Sequence, residues 1–187
     1  MCENRTMAAS PTPAADAPGF DGILDVHDQI EAALEAHQAE LVAAGMTAPG
    51  FAHARELFAV FAVAQHAHIE AENTVLIPLF EELCPPQNGC TPDILLAEHR
   101  KIARLLEEMT ETLAAFGRRA LEPLEIVALI ERQRLLKEVL DHHGVREEAR
   151  FVPRLAEALT GERRLKVLAE CDAIHHRADV LCPVPAA

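Results

Sequence analysis

The sequence has no tryptophan and no tyrosine, and aromatic residues make up 4% of it, all of them phenylalanine. Without tyrosine, chemistry that runs through a tyrosyl radical is excluded. Few aromatics also argue against a sheet protein, since strands draw on aromatic and β-branched side chains. No apolar run reaches the ~18 residues that a membrane span needs, so no membrane partner is expected. There is no Cys-x-x-Cys pair of the kind that holds structural zinc. No glycine-rich phosphate loop and no flavin or nicotinamide fingerprint is present. Met1 to Gly19 carries one arginine with no continuous apolar stretch after it, so it does not read as a secretory signal, and a cytoplasmic location is expected. The five cysteines, Cys2, Cys84, Cys90, Cys171 and Cys182, are an odd set for a disulfide scaffold. Cys84 and Cys90 share a loop and would pair only under oxidising conditions.

Half of the 187 residues are apolar, mainly Ala, Leu and Val. Ala and Leu are strong helix formers, so the expected class is all-α. The formal net charge is −13. Such a surface repels phosphate backbones, and no nucleic-acid partner is expected.

Residues 1–18 are rich in Pro and Ala without periodicity and read as a flexible tail. Four long amphipathic segments follow, over about 20–44, 51–83, 91–117 and 123–159, and a shorter fifth over 161–178. Gly45 suits the end of the first, with a turn at Thr47, Ala48, Pro49 and Gly50. Cys84-Pro85-Pro86-Gln87-Asn88-Gly89-Cys90 is a loop that no helix could cross. Thr91 and Pro92 open the third segment, and Gly117 closes it. Pro153 falls inside the fourth and is expected to bend or break its last turns, with Pro78 in the matching place in the second. Long helices with short loops imply an antiparallel up-down-up-down four-helix bundle over 19–160, followed by a C-terminal helix and tail over 161–187.

The chemistry lies in an internal repeat. His68-Ile-Glu-Ala-Glu72 is followed by Pro78, and His143-Gly-Val-Arg-Glu147 by Pro153. In both, His precedes Glu by four and Pro by ten. Residues four apart share a helix face, so each His and Glu reach one point together. His27 lies on the stripe of Ile23, Leu24, Ile30 and Leu34, and His99 on that of Leu95, Leu96, Ile102 and Leu106. Buried carboxylates and imidazoles are costly alone, but sit well around cations. Mixed nitrogen and oxygen ligation suits iron or manganese, and affinity alone does not separate these from zinc.

In these residues the sequence resembles the hemerythrin-like proteins with the HHE cation-binding domain, over about 21–159. The resemblance implies a four-helix bundle around two oxo- or hydroxo-bridged irons. Glu72 and Glu147 would bridge the irons, with His27, His68, His99 and His143 as terminal ligands. The pattern departs from the invertebrate oxygen carriers, which place a further histidine where this chain has Ala103, and an aspartate bridge where it has Glu147. With this ligand set one position on each iron stays open, which suits peroxide or nitric oxide at least as well as carriage of dioxygen. The readings are a di-iron protein that binds oxygen or a related molecule for sensing, storage or redox defence; an enzyme acting on peroxide or nitric oxide, with electrons from a partner protein; an iron-dependent regulatory module; or a bundle holding zinc or no metal.

Several neighbours compete or assist. His142 rivals His143, though the repeat favours His143. Glu148 reads as a surface charge. Glu31 reads as solvated or as orienting an imidazole, and Glu98, beside His99, reads as orienting one too. His66 should point away from His68, about 200° around the helix. His37, His53, His175 and His176 lie outside the repeat and read as surface or fifth-helix residues. Cys171, four before His175, reads as a small apolar contact.

Overall fold

The structure, a computed structural model, describes residues 20–43, 48–116 and 122–181. The expected tail over 1–18, the stops at Gly45 and Gly117, Cys2 and Cys182 lie outside the described residues. Within them the chain is helical, without a strand. The helices are α1 (Asp21–Ala43), α2 (Ala48–Ala71), α3 (Ile77–Leu83), α4 (Pro92–Phe116), α5 (Pro123–Arg146), α6 (Val152–Ala158) and α7 (Gly161–Leu181). No helix among the described residues is long and apolar enough to cross a membrane.

One expectation needs correction. Helix α2 begins at Ala48, so Ala48, Pro49 and Gly50 are its first turn and not a connecting turn. Proline is tolerated there because first-turn N–H groups have no intrahelical acceptor. The disturbance expected at Pro78 and Pro153 takes the form of a change in winding, and the helices continue beyond it. A π-helical turn, Glu72–Leu76, joins α2 to α3, and a second, Glu147–Phe151, joins α5 to α6. Each stands directly before a helix whose first turn holds the proline. Proline has no N–H to return to the preceding turn, and the wider winding accommodates the lost bond. In each π turn the glutamate of the repeat supplies the closing acceptor: Ile77 N–H donates to the Glu72 carbonyl and Val152 N–H to that of Glu147.

The apolar core is in two parts. One contains Val75, Phe80, Leu95, Phe151, Leu155 and residues of α7. The other contains Ile30, Leu34, Phe58, Phe61, Ile102, Leu106, Leu136 and Val139. Along α2–α3 the chain passes from the second part to the first, along α4 it returns, and along α5–α6 it passes to the first again. These rods therefore alternate in direction, as short loops between long helices require. Between the two parts lies a polar layer at the level of residues 68–72, 99 and 143–147. Helix α7, longer than expected, packs beside the first part through Val167, Cys171 and Ile174.

The loop between α3 and α4 is held by a row of arginines one turn apart. Arg146 Nε donates to the Gly89 carbonyl, Arg150 Nη1 to that of Asn88, and Arg154 Nη2 to that of Pro85. Cys84 and Cys90 are both buried and unbonded to each other. Gly89 has φ +80°, and a Cβ there would stand 2.5 Å from Arg150 Nη1. Gly161 has φ +58° with open space around it.

These two glycines separate backbone strain from crowding. Gly161→Ala should cost about 1 kcal/mol, the ordinary penalty for a side chain in the left-handed region. Gly89→Ala should cost more, because Arg150 must also release the Asn88 carbonyl. Urea midpoints of the two variants would check this, and equal shifts would contradict the arginine row as a clamp.

Candidate metal centre

Helical spacing sets the polar layer. Four residues make about one turn, so His68 and Glu72 stack on one face, as do His143 and Glu147. His27 on α1 and His99 on α4 face the same layer. His68, Glu72, His99, His143 and Glu147 are buried, and His27 retains 15% side-chain exposure. The structure brings all six expected residues together. His27 Nε2 lies 3.0 Å from His68 Nε2 and 3.1 Å from Glu147 Oε2. His99 Nε2 lies 3.0 Å from His143 Nε2 and 3.0 Å from Glu72 Oε2. His143 Nε2 lies 2.7 Å from Glu147 Oε1, and His68 Nε2 lies 3.6 Å from Glu72 Oε2.

Contacts to neighbouring side chains fix two of the imidazoles. His99 Nδ1 donates to Asn73 Oδ1 at 2.6 Å. His143 Nδ1 donates to Glu98 Oε2 at 3.1 Å, and Arg146 pairs with the other oxygen of Glu98. A neutral imidazole that donates through Nδ1 turns the lone pair of Nε2 inward. The two inward lone pairs of His99 and His143 then face each other at 3.0 Å, which a shared cation makes favourable. All four oxygens of Glu72 and Glu147 are buried without a hydrogen-bond partner. Buried polar atoms are normally satisfied, and an ionised carboxylate in apolar surroundings is the costliest exception. The donor set thus fits a metal ion. Glu72, His99, His143 and Glu147 form one group whose ligand atoms lie within 4.8 Å of one another, and His27, His68 and Glu147 form a second.

The protonation equilibria point the same way. Burial opposes a charged His143, but the charge and close contact of Glu147, with Glu72 and Glu98 beside it, push the imidazole up to about 12. Burial likewise opposes charge on His27 and His99, and the two glutamates outweigh it, raising both. Burial would raise Glu147, yet His143, His27 and His68 hold it well below the usual carboxylate range.

The competing residues are sorted by position. His142 is exposed and His143 buried, so the layer uses His143. Glu148 and His66 are exposed. Glu31 is exposed and lies 3.6 Å from Lys137 Nζ, which is the solvated reading. Glu98 orients an imidazole as expected, but that of His143 and not of its neighbour His99. His53 is half exposed beside Glu56. His37 is a correction: it is fully buried, not on the surface. Its Nδ1 donates to the Ala54 carbonyl at 2.6 Å and its Nε2 accepts from Gln133 at 2.7 Å. Burial lowers its pKa, keeping it a neutral core histidine. His175 on α7 stacks on His68 with ring centroids 6.0 Å apart. Cys171 is a buried contact whose thiol burial and the charge of Glu72 push up to about 12. Sequence reasoning missed Asn73, whose contact to His99 comes from a neighbouring helix and leaves no trace in the spacing along the chain. It missed Gln65, buried one turn before His68, for want of any signal beyond that spacing.

Because metal and protons compete for these nitrogens, loading the metal-free chain with a divalent ion at neutral pH should release protons. Titration calorimetry in two buffers of different ionisation enthalpy reads that release, and buffer-independent heats would contradict ligation by the imidazoles. The signs for stability follow from linkage. His143 is raised, so its contribution is whole below pH 6.5 and fades as pH climbs toward about 12. Glu147 is lowered, so its contribution is whole above pH 4.5 and lost as pH falls. The layer should therefore support the metal-free fold best between pH 4.5 and 6.5, read as a maximum in Tm.

Compared with protein-family models, with curated proteins and with solved structures, the chain matches none of them.

Proposed function

We propose that this chain is a hemerythrin-like four-helix bundle with an added C-terminal helix, that it binds two irons in its polar layer, and that it uses them to sense or bind dioxygen or a related small molecule. One observation carries the reading: two glutamates and four imidazoles from four rods converge in one buried layer, with all four carboxylate oxygens unsatisfied.

The mixed nitrogen and oxygen donor set suits iron or manganese, and the nitrogen spacing is compatible with octahedral angles. Nitrogens about 2.1 Å from one ion stand about 3.0 Å apart at octahedral angles and about 3.4 Å apart at tetrahedral ones. Both imidazole pairs stand at 3.0 Å. His27 and His68 would hold one ion, His99 and His143 the other, and Glu72 and Glu147 would lie between them. A pair of irons supplies reversible one-electron steps and open positions for dioxygen, peroxide or nitric oxide. The chain's own part is to hold the imidazoles in register through Asn73 and Glu98, to exclude bulk water, and to leave one face of the layer open. With no flavin or nicotinamide fingerprint in the sequence, electrons for a reductive cycle would come from a partner protein.

Metal analysis of protein produced with iron, beside His68→Ala and Glu72→Ala, tests the centre. The parent should hold two irons per chain, absorb in the visible and melt at a lower Tm after chelation, while both variants lose at least half of the metal. Variants with undiminished metal would overturn the assignment. A spectrum that reverses when oxygen is removed supports binding or sensing, whereas steady turnover of peroxide or nitric oxide would make the chain an enzyme.

A further inference from the structure

The seam between α1 and α5 is not closed by apolar packing. His37 with Gln133 and Glu31 with Lys137 bridge it at points, and a cavity of about 280 Å³, bordered by Glu31 and Lys137, reaches the polar layer. Its floor is formed by His27, His68, His143 and Glu147. Its walls are apolar, from Ile30, Leu34, Phe61 and Leu140. That volume far exceeds what a diatomic molecule needs and approaches the ~300 Å³ at which organic-ligand sites begin.

Two residues mark the cavity as a built site. Gln65 lines it and is 2% exposed, yet its amide has no hydrogen-bond partner among the described side chains. A buried amide costs free energy unless something pairs with it. Gly144 also lines it, within the helix and directly after His143. Glycine in a helix interior costs roughly 1 kcal/mol against alanine. No close approach explains it, because a Cβ at Gly144 would meet nothing within 4 Å. What the glycine preserves is open space beside the layer.

The mouth selects for charge. Glu31, Asp141 and Glu148 surround it, and Lys137, the one lysine or arginine there among the described residues, lies 2.9 Å from Asp141 and 3.6 Å from Glu31. An acidic rim on a chain of net charge −13 repels anions. Apolar walls disfavour a cation's body.

We propose that the α1–α5 cavity binds an uncharged organic molecule with an aliphatic body and a hydroxyl head, the head paired with the Gln65 amide beside the polar layer. The proposal rests on the two-iron reading only in placing that head next to a metal. A protein whose centre accepts an oxidant would thereby carry a second, organic ligand in reach of it.

Binding of 1-octanol to the full chain, followed by calorimetry and ligand-observed NMR, tests this, with octanoate as the charged control. The titrations are run on metal-free and zinc-loaded protein. One saturable 1-octanol site is expected, with octanoate at least tenfold weaker. Gly144→Leu should weaken 1-octanol at least tenfold while keeping helicity and metal content. Gln65→Leu should weaken it about fivefold, the loss of one hydrogen bond. Non-saturable binding, an unchanged affinity in Gly144→Leu, or octanoate binding as well as octanol would each overturn the proposal. If the metal analysis of the parent finds no iron while metal-free protein still binds 1-octanol, the two-iron reading falls and the cavity proposal stands.

Discussion

The structure depends on burying two carboxylates and three imidazoles in a polar layer that meets the outside through the α1–α5 cavity. Removing an ion from water costs several kcal/mol even after relaxation, and mutual attraction repays that only when the geometry is good. The apolar core is accordingly split, with one part on each side of the layer. Each apolar part fixes the rods that cross it, and the layer is where the rods hand their polar side chains to one another. The two π turns belong to the same constraint. Each begins at a glutamate of the layer and precedes a proline, so local winding and carboxylate placement are set together.

Outside the layer, charge is used to hold backbone in place. Arg146, Arg150 and Arg154 satisfy carbonyls of the α3–α4 loop, which has little regular structure of its own. Arg146 also pairs with Glu98, which holds the His143 imidazole. A surface loop and a buried imidazole are thereby joined through two side chains. Such shared partners make their energies non-additive, because removing either one leaves the other's charge poorly paired.

Much of this was legible in the sequence, for a physical reason. His68 with Glu72, and His143 with Glu147, are encoded by spacing along one helix, which the chain displays directly. The rods followed from periodicity and from the proline-rich loop. What was not legible depends on contacts between rods. The burial of His37 rests on Ala54 and Gln133 from two other helices. Nothing in the spacing of Glu98 and His99 shows that Glu98 serves the imidazole of α5. The π turns escaped because a proline within a helix reads as a break when the wider winding before it is not foreseen.

The repeat makes the two halves of the layer look alike, yet their imidazoles are not equivalent. His99 and His143 each give their outer N–H to an oxygen, one to an amide and one to a carboxylate, which makes their inner nitrogens more basic. The outer nitrogens of His27 and His68 have no such acceptor. One end of the layer therefore holds the more basic nitrogens, and the floor of the cavity draws on both ends, through His27 and His68 and through His143. A near-symmetric sequence has folded into a polar centre with a built-in electronic direction.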